Sequence, residues 1–174
     1  MDTNQFTNLL RRHSGLIYKV AHAYCQNAAD RDDVVQEIAL QLWRCRDRYD
    51  ARFKETTWIY RIAINVAISF HRRHRRHLKG RVSVEGSAIT IAAPAAEPGG
   101  DVERLMQCIH ELSELDKAFV LLLLDGQSHD SIAEVLGISV SNVGTKLLRI
   151  KNKLRVAFDQ RAYSNQTEPP HANR

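Results

Sequence analysis

The stretch Ser128-His129-Asp130-Ser131-Ile132-Ala133-Glu134-Val135-Leu136-Gly137-Ile138-Ser139-Val140-Ser141-Asn142-Val143-Gly144-Thr145-Lys146-Leu147-Leu148-Arg149-Ile150-Lys151 decides the fold. Ala133 is small where two helices cross closely, and Gly137 can take the positive φ of a tight turn. Ile132, Leu136, Ile138 and Val143 fill a small core between the helices, and Ser139 stands at the N-cap of the second. In this order these residues predict a helix-turn-helix. In its second helix Val143, Leu147, Ile150 and Leu154 share one buried face. Ser139, Ser141, Asn142, Thr145, Lys146, Leu148, Arg149 and Lys153 remain for duplex DNA. Leu148 suits a thymine methyl, and the cations suit phosphates. Gly144 is a local weakness of about 1 kcal/mol relative to Ala.

Outward from this segment the pattern stays helical. Downstream of the turn a helix is expected over 140–160; upstream, helices are expected over 101–112, 114–124 and 128–136, with Ser113 as N-cap of the second. The first half reads as three or four helices. Phe6, Leu9, Leu10, Ile17, Val20 and Ala21 recur at helical spacing with Gly15 as a weak point. A helix over 29–46 carries the apolar stripe Val34, Val35, Ile38, Leu42 and Trp43, with Asp30, Asp32 and Asp33 expected in its first turn, where the helix dipole favours anions. Another covers 57–77. The expectation is an all-α protein of two small helical domains, 1–81 and 101–161, the second a four-helix domain with the helix-turn-helix. The segment 82–100, with Gly86, Pro94, Pro98, Gly99 and Gly100, reads as a flexible linker, and 162–174 as a disordered tail.

The helix over 57–77 is the second basic surface. Between Thr56 and Val84 there is no Asp or Glu, whereas Arg61, Arg72, Arg73, Arg75, Arg76, Lys79 and Arg81 all lie there. Such a patch says more than the net charge of +5. At 100° per residue Arg61, Asn65, Ser69, Arg72 and Arg76 fall in one arc, opposite Ile59, Ala63, Val66 and Phe70. Thr57 and Trp58 stand at its entry beside Phe53 and Tyr60, and aromatics next to positive charge suit unstacked single-stranded bases. His71, His74 and His77 drift around the helix with no Cys or carboxylate among them, so no metal site is expected.

Composition narrows the classes further. The 174 residues hold only 8 Gly and 4 Pro, which argues against a turn-rich β fold. The longest apolar run, Phe119 to Leu124, falls far short of the roughly 20 residues of a membrane span. No signal peptide is visible, so a cytoplasmic protein is expected, and Cys25, Cys45 and Cys108 read as reduced thiols. There is no phosphate-binding G-x-x-x-x-G-K-[ST] loop, and the carboxylates lie away from the basic stripe. The expectation is therefore a DNA-binding protein, not an enzyme, and without a cofactor.

Three segments carry a resemblance. Asp32-Asp33-Val34-Val35-Gln36-Glu37-Ile38 with Leu42-Trp43-Arg44, then Thr57-Trp58-Ile59-Tyr60-Arg61-Ile62-Ala63-Ile64-Asn65-Val66-Ala67, and finally Leu112 to Leu154 resemble, in that order, the extracytoplasmic-function (ECF) sigma factors of bacterial RNA polymerase. The resemblance implies a transcription initiation factor that binds core polymerase, directs it to promoters and helps melt the minus-ten region. Asp32, Asp33, Gln36, Glu37, Leu40, Trp43 and Arg44 would dock on the clamp of the largest subunit. Thr57, Trp58, Arg61, Asn65, Ser69, Arg72, Arg73 and Arg76 would hold the melted minus-ten strand. The helix-turn-helix would read the double-stranded minus-thirty-five element and lie beside the flap of the second-largest subunit. An anti-sigma factor is the implied regulator, because no sensor domain is recognised after Arg161, and no membrane insertion is implied. The alternative from the residues alone is a stand-alone helix-turn-helix regulator, against which the 32–44 segment argues. Glu55, in a short loop before Trp58, and Gly144 depart from the family pattern, with an altered base pocket and a missing recognition-helix contact as the expected effects.

Overall fold

Four of the helices begin where a short polar side chain, Asp2, Asn27, Ser113 or Ser128, takes up a free backbone N–H group. Asp2 accepts from the Gln5 backbone while the Gln5 side chain returns to Asp2 N–H, a reciprocal cap that starts α1, Thr3–Arg12. His13 leaves helical geometry at φ −108°, ψ 13°, and α2, Ser14–Tyr24, starts after it. The interruption thus falls at His13 and not at Gly15. Asn27 accepts from Asp30 N–H and opens α3, Ala28–Cys45. Asp30 is therefore the acid of the first turn, and Asp32 and Asp33 belong to the second. A 3-10 turn, Arg46–Arg48, leads into a loop and then α4, Glu55–Gly80.

The second group is α5 (Asp101–His110), α6 (Glu114–Leu124), α7 (His129–Leu136) and α8 (Val140–Gln166). Ser113 accepts from Asp116 N–H and Ser128 from Ser131 N–H. α7 ends at Gly137 with φ 68°, the left-handed value anticipated for the turn. The Ser139 carbonyl accepts from Asn142 and Val143 N–H, and its hydroxyl meets that of Ser141 at 3.1 Å. α8 runs to Gln166, six residues past the expected 160, because nothing before Pro169 breaks it. The computed structural model describes the backbone of residues 1–80 and 101–166, with side chains for 1–74, 101 and 104–160. The expected linker 82–100 and the last eight residues lie outside the described residues.

Among the described residues every regular element is helical. Val34, Ile38 and Leu42 of α3 are fully buried, each contributing about 1.5–3 kcal/mol. Ile59, Ala63 and Val66 of α4, a helix that packs against α3, are buried too, as the 3.6-residue pattern predicts. The recognition-helix face Val143, Leu147 and Ile150 is buried, with Leu154 at its edge. One feature was not legible in the pattern. α4 buries a second face, Tyr60 and Ile64, and α2 buries one broad arc, with Leu16, Ala23 and Tyr24 added to Ile17, Val20 and Ala21. α2 packs against α5 and α6 as well as α3 and α4, and α4 also meets α7. The apolar core is therefore continuous from the first helical group into the second.

Candidate nucleic-acid and polymerase interfaces

Three outward stripes stand on three different helices. On α3, Asp32, Asp33, Gln36, Leu40 and Arg44 are exposed. They recur at i, i+4, i+8, so one side of the helix presents them together. Leu40 is 55% exposed, an apolar centre within an acidic and polar rim. Two residues of the expected set are engaged elsewhere. Trp43 stacks edge-on against Phe6 at 5.0 Å and carries the Arg46 guanidinium at 3.8 Å, so its ring is committed to packing. Glu37 takes two hydrogen bonds from Arg73 Nη2, at 2.8 and 2.6 Å, and joins α3 to α4.

On α4, Arg61, Asn65, Ser69, Arg72 and Arg73 are exposed, and Arg76 lies on the described backbone with its side chain outside the described residues. Thr57 is only 5% exposed, so its side chain supports the helix from inside. Trp58 is partly buried against Tyr49 at 5.1 Å. The Tyr49 hydroxyl donates to the Phe53 carbonyl at 3.0 Å, which shapes the loop that presents exposed Phe53. Glu55 is the first residue of α4 rather than part of a loop. It accepts from Arg12 at 3.2 Å and meets His13 Nε2 at 3.0 Å, tying α4 to the α1–α2 junction. The His13 hydrogen bond, opposed by desolvation and helped by Arg12, holds the Glu55 carboxyl below its ordinary range.

On α8 the expected reading face is outward. Ser139, Ser141, Asn142, Thr145, Leu148, Arg149 and Lys153 are exposed, Leu148 at 62%. Asn142, Thr145, Lys146 and Arg149 line a groove of about 260 Å³ with Leu115, Phe119 and Ile138. Lys146 is half-buried because Asp116 Oδ1 sits 3.0 Å from its ammonium, and Lys153 lies 3.9 Å from Oδ2. The contact of Asp116 Oδ1 is an ion pair without hydrogen-bond alignment. Two of the cations assigned to phosphate are thus partly neutralised from within. Gly144 has open space where a Cβ would go.

The seam between the two helical groups is polar at its margins. Glu114, at the start of α6, accepts from Arg72 Nε at 2.8 Å and meets His71 Nδ1 at 3.2 Å. Burial opposes its charge, but the bonds from Arg72 and His71 prevail and keep the carboxyl below its ordinary range. The Tyr24 hydroxyl donates to the Glu114 carbonyl at 2.6 Å, and Arg61 Nη2 to the Glu134 carbonyl at 3.0 Å. At the far edge Asp125 pairs with Lys19 and accepts from the Tyr60 hydroxyl. A cleft beside the seam is lined by Cys25, Asp30, His71, His74, His110 and Lys117. Burial depresses the Lys117 pKa and raises the Cys25 thiol to about 11, so the thiol stays protonated at neutral pH. His71 is engaged by Glu114, His74 stacks on Phe70, and the His77 side chain lies outside the described residues. Among the described residues no three His, Cys, Asp or Glu side chains are placed to hold a metal ion. Nor is any described helix long and apolar enough to cross a membrane.

Sequence reasoning missed the roles of Glu114 and Asp116. Both read as acids at a helix start, which they are, and only the packed structure adds the partners from α4 and α8. The signal available was weak: Asp116 is followed within two residues by an apolar run.

Comparison with known proteins places these helices. Residues 9–77 match the model for sigma-70 region 2, and residues 102–154 match that for sigma-70 region 4. The RNA polymerase sigma factor NccH of Alcaligenes xylosoxydans xylosoxydans is 28% identical over 160 residues, covering 88% of this chain and 86% of NccH. The ECF RNA polymerase sigma factor SigW of Bacillus subtilis is 27% identical over 166 residues, covering 88% of this chain and 89% of SigW. Among solved structures, the sigma factor RpoE in complex with the anti-sigma factor NepR from Bartonella quintana superposes with a TM-score of 0.72. It has 19% identity and covers 90% of this chain and 98% of that one. CnrH in complex with the cytosolic domain of CnrY gives a TM-score of 0.67 at 22% identity, over 91% and 90% of the chains. With a region 2 block, a region 4 block and ECF relatives along most of its length, the chain belongs to the ECF sigma factors, the alternative-sigma transcription initiation factors of bacterial RNA polymerase.

Proposed function

We propose that this sigma factor divides its work among the three stripes. The α3 stripe docks on the clamp of the largest polymerase subunit, α4 holds the melted minus-ten strand, and α8 reads the minus-thirty-five duplex beside the flap of the second-largest subunit. The observation that carries this reading is the segregation of chemistry. Acidic and apolar side chains face outward on α3, basic and amide side chains on α4, and hydroxyl, amide and cationic side chains on α8. On α4, Asn65 offers a base-edge contact between flanking guanidinium groups, and Phe53 with Trp58 offers ring surface for an unstacked base. Melting then draws on base capture and phosphate neutralisation, with no nucleotide hydrolysis. Residues 1–81 form the polymerase-binding and melting domain, 101–161 the reading domain, 82–100 the linker and 162–174 a tail. The factor acts in the cytoplasm, performs no catalysis itself, and is held in check by an anti-sigma factor, as RpoE is bound by NepR in the similar structure.

The experiment is co-elution with purified bacterial core RNA polymerase, comparing wild type with a double variant, Asp33→Ala plus Glu37→Ala. Wild type should co-elute and the double variant should not, with unchanged helical content by circular dichroism. Co-elution undiminished in the double variant would move the docking face away from α3.

A further inference from the structure

The strand-holding face of α4 is already partly occupied by the chain itself. Arg72 Nε donates to Glu114 Oε2 at 2.8 Å, and Arg61 Nη2 to the Glu134 carbonyl at 3.0 Å. These are two guanidinium groups of the stripe assigned above to the melted strand, and both acceptors belong to the second helical group. Glu114 is well placed for this. Its side chain is only 18% exposed, it receives His71 as well as Arg72, and the neighbouring Tyr24 hydroxyl fixes its backbone carbonyl at 2.6 Å. A carboxylate receiving a guanidinium N–H and an imidazole nitrogen presents much the same pair of oxygens as a DNA phosphate. Beneath these contacts Tyr60 and Ile64 of α4 are buried, and Lys19 with Asp125 closes the opposite edge. Asn65 and Ser69 remain open.

We propose that Glu114 is a competitor in cis for the melted strand: its carboxylate holds Arg72 and His71 against α6, and a strand phosphate must displace it before α4 is fully engaged. The inference rests on α4 being the strand-holding helix. It makes Glu114 a positioning residue that sets how readily the free factor takes single-stranded DNA. Release at Glu114 also loosens the Arg61 contact with Glu134, since both depend on the second group staying against α4. Strand capture and parting of the two groups then favour one another.

The test uses the full chain and a fluorescein-labelled 12-nucleotide single-stranded DNA of mixed sequence, read by fluorescence anisotropy from 50 to 200 mM KCl. Glu114→Gln keeps the shape and removes the charge. It should bind about 3- to 10-fold more tightly than wild type, with the salt slope steeper by about 0.7 for one added phosphate contact on a single strand. Lys19→Ala loosens the far edge of the seam without touching the stripe, and it should also tighten binding. Adding Arg72→Ala to Glu114→Gln should abolish the gain. Glu114→Gln and Lys19→Ala both binding as wild type does, while Arg72→Ala weakens the Glu114→Gln protein, would overturn the competition and leave the strand-face reading intact. Arg72→Ala without effect in either background would instead mean that α4 does not hold the strand.

Discussion

Asp116→Asn should strengthen duplex binding while weakening the fold, a pair of opposite signs that few substitutions share. Asp116 is 7% exposed, and its two oxygens face Lys146 at 3.0 Å and Lys153 at 3.9 Å. The amide keeps the volume and the Ser113 cap on its backbone N–H but cancels the charge. Lys146 then loses its partner, and because it is half-exposed the penalty is moderate, of order 1–2 kcal/mol. For a chain of this length that lowers Tm by roughly 2–8 °C. The freed ammonium lies on the reading helix beside Arg149 and becomes available to a phosphate. One added phosphate contact steepens the salt dependence on duplex DNA by about 0.9 in log–log slope. Between 50 and 200 mM KCl that is an additional loss of about 3.5-fold, superimposed on tighter binding at the low end. Fluorescence anisotropy on a 30-base-pair duplex, with a thermal melt of the same samples, reads both quantities. A lowered Tm with unchanged slope would refute the reasoning, because it would confine Asp116 to a structural role.

Leu42→Ala removes a fully buried side chain between α3 and its neighbours, and should cost about 2–5 kcal/mol as a shift in urea midpoint at constant m-value. Glu55 has its folded pKa held below the ordinary 4.5, first by the His13 hydrogen bond. As pH falls, the unfolded chain takes up that proton before the folded one. The stabilisation is complete above pH 4.5 and disappears as pH drops through the lower folded value. Glu55→Gln should therefore flatten this part of the acid limb in thermal melts from pH 6 to 3, and an unaltered limb would count against the Arg12–His13–Glu55 tie. Trp58→Ala should spare polymerase co-elution but reduce permanganate reactivity of the melted region. Normal reactivity would remove Trp58 from strand capture.

Helices and their primary buried faces were legible because a 3.6-residue apolar stripe is a local pattern, helped in α1, α3, α6 and α7 by a side-chain cap. Val34, Ile38 and Leu42, or Val143, Leu147 and Ile150, could be read in this way. The second buried face of α4, Tyr60 and Ile64, could not. A helix packed on two sides loses the polar–apolar contrast that marks a single stripe, and the second partner lies far along the chain. The same limit applied to the sites. Residue type and spacing put Arg61, Asn65, Ser69 and Arg72 on one arc, but the acceptors of Arg61 and Arg72 are 73 and 42 residues away. Trp43 illustrates the converse. It sits at the right angle for the α3 stripe, yet Phe6 and Arg46 claim its ring. Gly15 read as the weak point because glycine lowers helix propensity, but His13 takes the non-helical geometry.

The bond between Glu37 and Arg73 carries a thermodynamic consequence. One residue belongs to the stripe assigned to polymerase and the other to the stripe assigned to DNA. When polymerase takes Glu37, Arg73 loses its carboxylate and is offered to a phosphate; when DNA takes Arg73, Glu37 is offered to polymerase. Linkage requires the two effects to be equal in size. A solvent-exposed pair of this kind is worth about 0.2–1 kcal/mol, so each ligand would tighten the other by a factor of roughly 1.4 to 5. The factor would thus bind DNA somewhat better in polymerase's company than alone, a bias against unproductive binding that requires no moving part larger than one arginine side chain.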